Sequence, residues 1–529
     1  MQSGTASRRR FLRLSAIAAS AVVGLPLLAA CGGAGAGAVN SAASAASSAV
    51  SAAATNTAAA SAVSSAVSSA VSSATSSAAP ATSAAAATSA SASSSAAASP
   101  TTAPTTAPVV KGTPTLLYQT WWQEMMDNLK PLFPQFEQQN NVKLNIQVLD
   151  YNGFVDKLPV EFAGGSPPDT MNANNFGHVK LWDQGVFLDL TGRLKADKID
   201  LAKDYGLMGL EFWCGKNLCM PFDNDPRQVY YNKTLLKEAG AKDPWDDLNG
   251  QWTLDDMVNI AMQTTKRGAD GKATQWGLQM GYTGMSESNG MFVWTFGGTW
   301  ADFNKMQYTL DTPESIAAHN YVLDLVNTKR CVLTDAENAD LTKAGVKDPF
   351  REGKTAVYIR ASANVKQNLA QMAGKYEWDV APFPSQSKNK LGTPIVSGNP
   401  NEAAASGKQV DLSYNFIKWL ASPTVQTYFA QTKVEVPSYN ALKSMYATTP
   451  PPAHVSVFPD TYKHPYGIHF RHYRSLDAYS EYSKEISQVF LGKASMETTL
   501  RSMNKLLNDS YVQYGQCNPY GGLQVPIQP

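Results

Sequence analysis

The chain has 529 residues, 44 of them basic and 43 acidic, for a formal net charge of +1. That balance argues against a nucleic-acid binder, which needs a basic excess somewhere to meet phosphates. Aromatic residues are abundant after residue 117 and nearly absent before it, so packed structure is expected only beyond the first fifth of the chain.

The N-terminus reads Ser7-Arg-Arg-Arg-Phe-Leu-Arg13, then an apolar run from Leu14 to Ala30, then Cys31. A basic stretch followed by a short apolar one is an export signal rather than part of a fold. The run is short for a membrane span. Its paired arginines resemble the twin-arginine type, and Leu28-Ala-Ala-Cys31 resembles a lipoprotein cleavage box. That resemblance implies an acylated Cys31; a plain signal peptide or an anchor helix is the alternative. Residues 32–112 are nearly all Ala, Ser, Thr, Gly and Pro. They bury too little to offset chain entropy and read as a disordered tether. A coil of that length spans roughly 50 Å.

Cys214, Cys219, Cys331 and Cys517 follow Cys31. An exported chain meets an oxidising compartment, where three pairings of these four are open. Cys214-Gly-Lys-Asn-Leu-Cys219 brackets a turn, which favours a local bridge. Cys331 with Cys517 is then left by elimination. No histidine accompanies them at metal-ligand spacing, so no metal or other cofactor is expected.

Thr115 to Thr120 reads as a first strand, ending at Trp121-Trp122. A helix carrying Met125, Met126 and Leu129 follows. Val142, Leu144, Ile146 and Val148 alternate with polar residues, the pattern of a half-buried strand. A short helix between Phe154 and Phe162 closes at Gly164-Gly165. Ser166-Pro-Pro-Asp169 then enters another strand, with Asn172, Asn174 and Asn175 at its polar end. Alternating helix and strand predicts an α/β fold. Met220-Pro-Phe-Asp-Asn-Asp-Pro-Arg-Gln-Val-Tyr-Tyr-Asn-Lys233 holds two prolines that bracket an extended polar segment, followed by an apolar strand. It reads as a hinge crossing between two lobes, with a ligand beside it. Further along, Thr253-Leu-Asp-Asp256 matches a capping box, and Thr312-Pro313 opens a helix running toward Asn327. Ala356 to Ile359 is a strand, and Ser422-Pro423 opens another helix. Helices also span about 476–492 and 496–507.

Seven short pieces, taken in order and spacing, resemble one family. They are Pro168-Asp169, Pro221 to Lys233, Trp252-Thr-Leu-Asp-Asp256, Gly297-Gly298, Phe350-Arg-Glu-Gly-Lys-Thr-Ala-Val357, Trp378-Asp-Val-Ala-Pro-Phe-Pro384 and Phe416-Ile-Lys-Trp-Leu-Ala-Ser422. The chain resembles the extracellular solute-binding proteins of ABC importers, in the sugar-binding class that includes maltose-binding protein. The likeness covers nearly all of residues 113–510. It departs where Arg360 follows a strand that small residues often follow, and where Ser397-Gly-Asn-Pro400 replaces glycines. The resemblance implies a two-lobe, hinge-linked periplasmic-binding-protein-like fold of class II. Its first lobe would use 113–222 plus 356–400, and its second 223–355 plus 401–520. It also implies a monomer, capture of a mono- or oligosaccharide, and delivery to ABC permease subunits beside a lipid-anchored outer membrane face.

Sugar rings offer an apolar C–H face and a rim of hydroxyls, so a site needs aromatic platforms and planar polar groups. Expected ligand contacts are Trp121, Trp122, Asn172, Asn174, Asp223, Asn224, Asp225, Trp294, Trp300 and Arg360. Tyr479 is added because relatives often place an aromatic on the late helix. Each has a structural alternative: core packing for the tryptophans, turn capping for the aspartates, an ion pair with Asp223 or Asp225 for Arg360. Enzymatic signatures are weak. Ser385-Gln-Ser-Lys388 matches Ser-x-x-Lys but follows two prolines in a loop. His464, His469 and His472 cluster, yet Pro465 and Gly467 break any helix aligning them. Nothing resembles a phosphate-binding loop. A carbohydrate-active hydrolase with distant paired carboxylates, or a metal- or polyamine-binding receptor, are the rival readings of a chain expected to be no enzyme.

Overall fold

A computed structural model describes residues 112–173, 178–205, 212–284, 288–303, 305–388, 390–448, 451–468 and 475–514. The export signal, Cys31, the tether, Asn174, His469, His472 and Cys517 lie outside the described residues.

Two mixed sheets carry the fold. In the first, β1 (Thr115–Thr120) lies between β2 (Lys143–Val148) and β3 (Thr170–Asn172), parallel to both. The helix Gln123–Leu129 turns Met125, Met126 and Leu129 onto this sheet. A hairpin of β4 (Phe212–Trp213) and β5 (Lys216–Asn217) leads to β6 (Cys219–Met220), at the edge of the same sheet. Pro221-Phe222 then carries the chain into β7 (Asp223–Asn232), the spine of the second sheet. Val229, Tyr230 and Tyr231 are fully buried. A strand covered on both faces reads as a continuous apolar run, and β7 does so over these three residues.

Beyond β7, β8 (Lys266–Arg267) and β9 (Ala273–Gln279) extend the second sheet. The helix Leu254–Thr264 packs on β9, opened by the capping box of Thr253 and Asp256. Gly277 is required there: a Cβ would stand 1.7 Å from the Ala261 carbonyl oxygen. A small ribbon of β10 (Ala301–Asp302) and β11 (Gln307–Tyr308) precedes the helix Pro313–Leu323, which Thr312 caps. β12 (Thr355–Ala361) pairs antiparallel with β7 and parallel with β9. β13 (Trp378–Ala381) flanks β7 on the other side.

The chain crosses between the sheets twice more. β14 (Val396–Ser397) pairs with Asp225 and Pro226, and β15 (Asn401–Ala403) then inserts between β3 and β6 of the first sheet. Helices Val410–Leu420 and Pro423–Thr432 put Phe416, Leu420, Val425 and Phe429 into the first sheet's core. β16 (Val436–Pro437) then returns to pair with Asp223 and Asn224. All three crossings therefore meet at the start of β7.

Sheet membership differs from the expected lobe division over one stretch. β12 and β13 belong to the sheet of β7 rather than to the first, and 401–432 packs with the first. Periodicity marks a strand but not the sheet it joins.

The expected disulfides are also corrected. Cys214 occupies the tip of the β4–β5 hairpin, where it and Gly215 both take positive φ, the backbone of a tight two-residue turn. Cys214 is disulfide-bonded, but not to Cys219 or Cys331, which keep buried thiols. Cys219 faces the core, its Sγ 3.4 Å from Glu402 Oε1. Cys331 Sγ donates to the Leu325 carbonyl at 3.7 Å.

Candidate functional site

A cavity of about 310 Å³ opens beside the crossing. The first sheet supplies Trp121, Trp122 and Glu124, just past β1. The second supplies Asp225 and Arg227 from β7, Arg360 and Ala361 from β12, and the first turn of the helix Asn364–Gln371. Asn399, on the crossing from β14 to β15, closes the wall.

The two indoles are held in different ways. Trp121 rests edge-on against Tyr151 and tilted on Phe154, with centroids 5.7 and 5.0 Å away. Trp122 caps the start of its helix, its backbone N–H donating to Thr120 Oγ1 at 3.1 Å. Both are half-buried, so each keeps a surface for the cavity while its other side packs. Asp225 and Arg227 are two apart on one strand and share a face. Asn364 and Gln367 are three apart on a helix and share another. Arg351 anchors that helix from behind, donating to Asn368 Oδ1 at 2.7 Å and Asn364 Oδ1 at 2.9 Å.

Behind the cavity, carboxylates converge where the crossings meet. Asp223, Asp225 and Glu435 are all buried. Ser362 Oγ lies 2.8 Å from Glu435 Oε2 and 3.3 Å from Asp225 Oδ1, and its one proton serves one of them at a time. Among the described residues Glu435 Oε1 has no hydrogen-bond partner. Burial, then repulsion from the aspartates, pushes the Glu435 pKa well above its usual range. Asp223 is raised by burial and by Asp225. Asp225 is raised chiefly by burial, against Arg227, the Ala363 N–H, Ser362 and, more weakly, Arg360. Glu124 is raised by burial and held down by Arg351 and Lys366.

The expected contacts divide. Trp121, Trp122, Asp225 and Arg360 come together at the cavity. Arg360 makes no ion pair with either aspartate; its guanidinium lies 5.4 Å over the Tyr358 ring. Asp223 sits one layer back and accepts from Asn399 N and Nδ2 at 2.9 and 3.2 Å, which orients Asn399. Asn172 is buried and donates to the Asn399 and Pro400 carbonyls. Asn224 is buried against Lys443, 3.3 Å away. Tyr479 packs on the second sheet's core near Gly284 and is not among the described residues lining the cavity.

Trp294 and Trp300 are core residues, not platforms. The Trp294 ring covers Gly467, where any Cβ would fall 2.2 Å from it. Trp300 stands edge-on to His319 and Tyr482. His319 donates from Nδ1 to the Ser315 carbonyl, and its Nε2 takes the Tyr482 hydroxyl at 2.6 Å. Burial lowers the His319 pKa to about 4, so the ring stays neutral.

Glu124, Arg227, Asn364, Gln367 and Asn399 were not anticipated. Strand alternation from Asp225 gives Arg227, and the i, i+3 spacing ties Gln367 to Asn364; Glu124 and Asn399 carry no comparable signal. Among the described residues no group of His, Cys, Asp and Glu could hold a metal ion, and no helix is long and apolar enough to cross a membrane.

This arrangement, two sheets joined by three crossings with a polar cavity between them, matches known proteins. Residues 119–427 match the family model for bacterial extracellular solute-binding proteins, and the chain belongs to that family. A maltooligosaccharide ABC transporter solute-binding lipoprotein of Streptococcus pneumoniae is 26% identical over 319 residues, 58% of this chain and 69% of that one. An ABC substrate-binding protein of Listeria monocytogenes, solved with cycloalternan, superposes with a TM-score of 0.66 at 19% identity. It covers 75% of this chain and 99% of its own. The maltose/maltodextrin-binding domain of Bdellovibrio bacteriovorus, bound to maltotriose, gives 0.63 at 15% identity, over 75% and 100%. The fold is the two-lobe binding-protein fold of these neighbours.

Proposed function

We propose that the chain captures a carbohydrate in the cavity between its two sheets and delivers it to an ABC import permease. The observation that carries this is the cavity's lining: two indoles on one side, and carboxylate, guanidinium and amide groups on the other. Indole faces suit the C–H face of a sugar, and the planar polar groups suit its hydroxyls. The sugar-binding relatives support the same reading. A ligand touching both sides favours a closed arrangement, because only then do both sets of contacts exist. In this reading Cys31 carries a lipid, the tether lets the folded part range near the outer face of the membrane, and no chemistry is done on the ligand.

A carbohydrate thermal-shift panel tests the proposal. A true ligand at 100 times its dissociation constant adds roughly 2.7 kcal/mol of stability. No shift with any mono- or oligosaccharide would overturn it. Among the described residues Glu124 and Asp225 are the two carboxylates lining the cavity, so turnover of chromogenic glycosides is the control that would instead favour a hydrolase.

A further inference from the structure

The charges around the cavity do not cancel one by one. Glu124 is answered by Arg351, behind the helix that begins at Asn364, and by Lys366 on that helix. Asp225 is answered first by Arg227, its neighbour on β7. Arg360 acts on Asp225 only weakly and through space. It is exposed, it lines the cavity, and among the described residues no carboxylate reaches ion-pair distance of it. Its place is nevertheless fixed. Tyr358, two residues earlier on the same face of β12, is buried and lies beneath the guanidinium at 5.4 Å.

An occupied cavity takes water away from this group. A guanidinium that loses its water without meeting a counter-charge is costly, and neutral hydroxyls return only dipoles. A carboxylate or phosphate oxygen pair returns charge-assisted, bidentate hydrogen bonds that match the planar fork of arginine. We infer that Arg360 is a specificity-determining residue, and that the ligand is a saccharide bearing an acidic group, a carboxylate or a phosphate ester. This rests on the proposed carbohydrate capture and narrows it to a chemical class. Trp121 and Trp122 would face the ring while Arg360 takes the acid.

Titration calorimetry on the full chain tests this with matched pairs. The carboxylate arm compares digalacturonate with its uncharged methyl ester. The phosphate arm compares glucose 6-phosphate with glucose, and maltotriose serves as a neutral oligosaccharide. One acidic member should bind at least roughly tenfold more tightly than its uncharged counterpart, the worth of a hydrogen bond to a charged group. That preference should weaken as salt rises. Arg360→Gln should cut the preference at least fivefold, and Arg360→Lys, which keeps the charge without the fork, should restore part of it. Melting curves of both variants confirm folding. Neutral sugars that bind as well as the acidic ones, in both arms, would overturn the inference and leave carbohydrate capture standing. A preference that survives Arg360→Gln would overturn the role of Arg360. No binding in either arm or by maltotriose would overturn both readings together.

Discussion

Four tryptophans beside glycines or at a strand end look alike in the sequence, and the structure separates them by what seals their edges. Trp121 and Trp122 follow β1 and have the cavity on one side. Trp294 and Trp300 meet Gly467, His319 and Tyr482, brought in from distant parts of the chain. Trp300→Ala should therefore cost about 3–5 kcal/mol of stability, the range for emptying a large aromatic from a core. Trp122→Ala should lower the melting temperature less but weaken binding of the best panel ligand at least tenfold. Melting curves with calorimetry on both variants check the contrast; a reversed pattern would reassign the two indoles. Sequence pattern located all four rings but not the partners of any. The same limit explains Arg360. A strand-end arginine was legible, whereas its lack of an ion pair depends on where Asp223 and Asp225 turn.

Elements were read more securely than contacts. β1, the capped helices at Thr253 and Thr312, and the late helix Ser475–Phe490 stand where propensity and capping place them, while Met496–Tyr514 begins as expected and runs seven residues past its expected end. Strand β7 was legible because its polar start and apolar end bracket a change of environment. Its two partners at that start were not, since β14 and β16 are two-residue strands with almost no pattern. Their convergence buries Glu435 beside Asp223 and Asp225, with the hydroxyls of Tyr446 and Tyr462 also feeling its charge. A carboxyl with a raised folded pKa holds its proton more tightly folded than unfolded. Its contribution is whole below the usual value of about 4.5 and is lost as pH climbs toward the folded value. Glu435→Gln removes that titration. The variant's melting temperature, relative to the parent chain, should rise progressively between pH 5 and pH 8. A difference that stays flat or shrinks over that range would show that Glu435 is not held protonated by the crossing.

At the scale of the whole molecule, three short crossings join two sheets that each have their own core. The cavity takes its walls from both. In the proposed capture few residues would change conformation at the crossings, so closure would move each half as a body. A ligand shifts that equilibrium only by its preference for the closed arrangement. The most direct measurement is small-angle scattering of the full chain, with and without the saccharide giving the largest thermal shift. The account predicts that saturating ligand makes the folded part measurably more compact in the parent chain, and that Trp122→Ala needs a higher ligand concentration for the same change. A ligand that binds tightly while the scattering profile stays unchanged would contradict capture between the two halves.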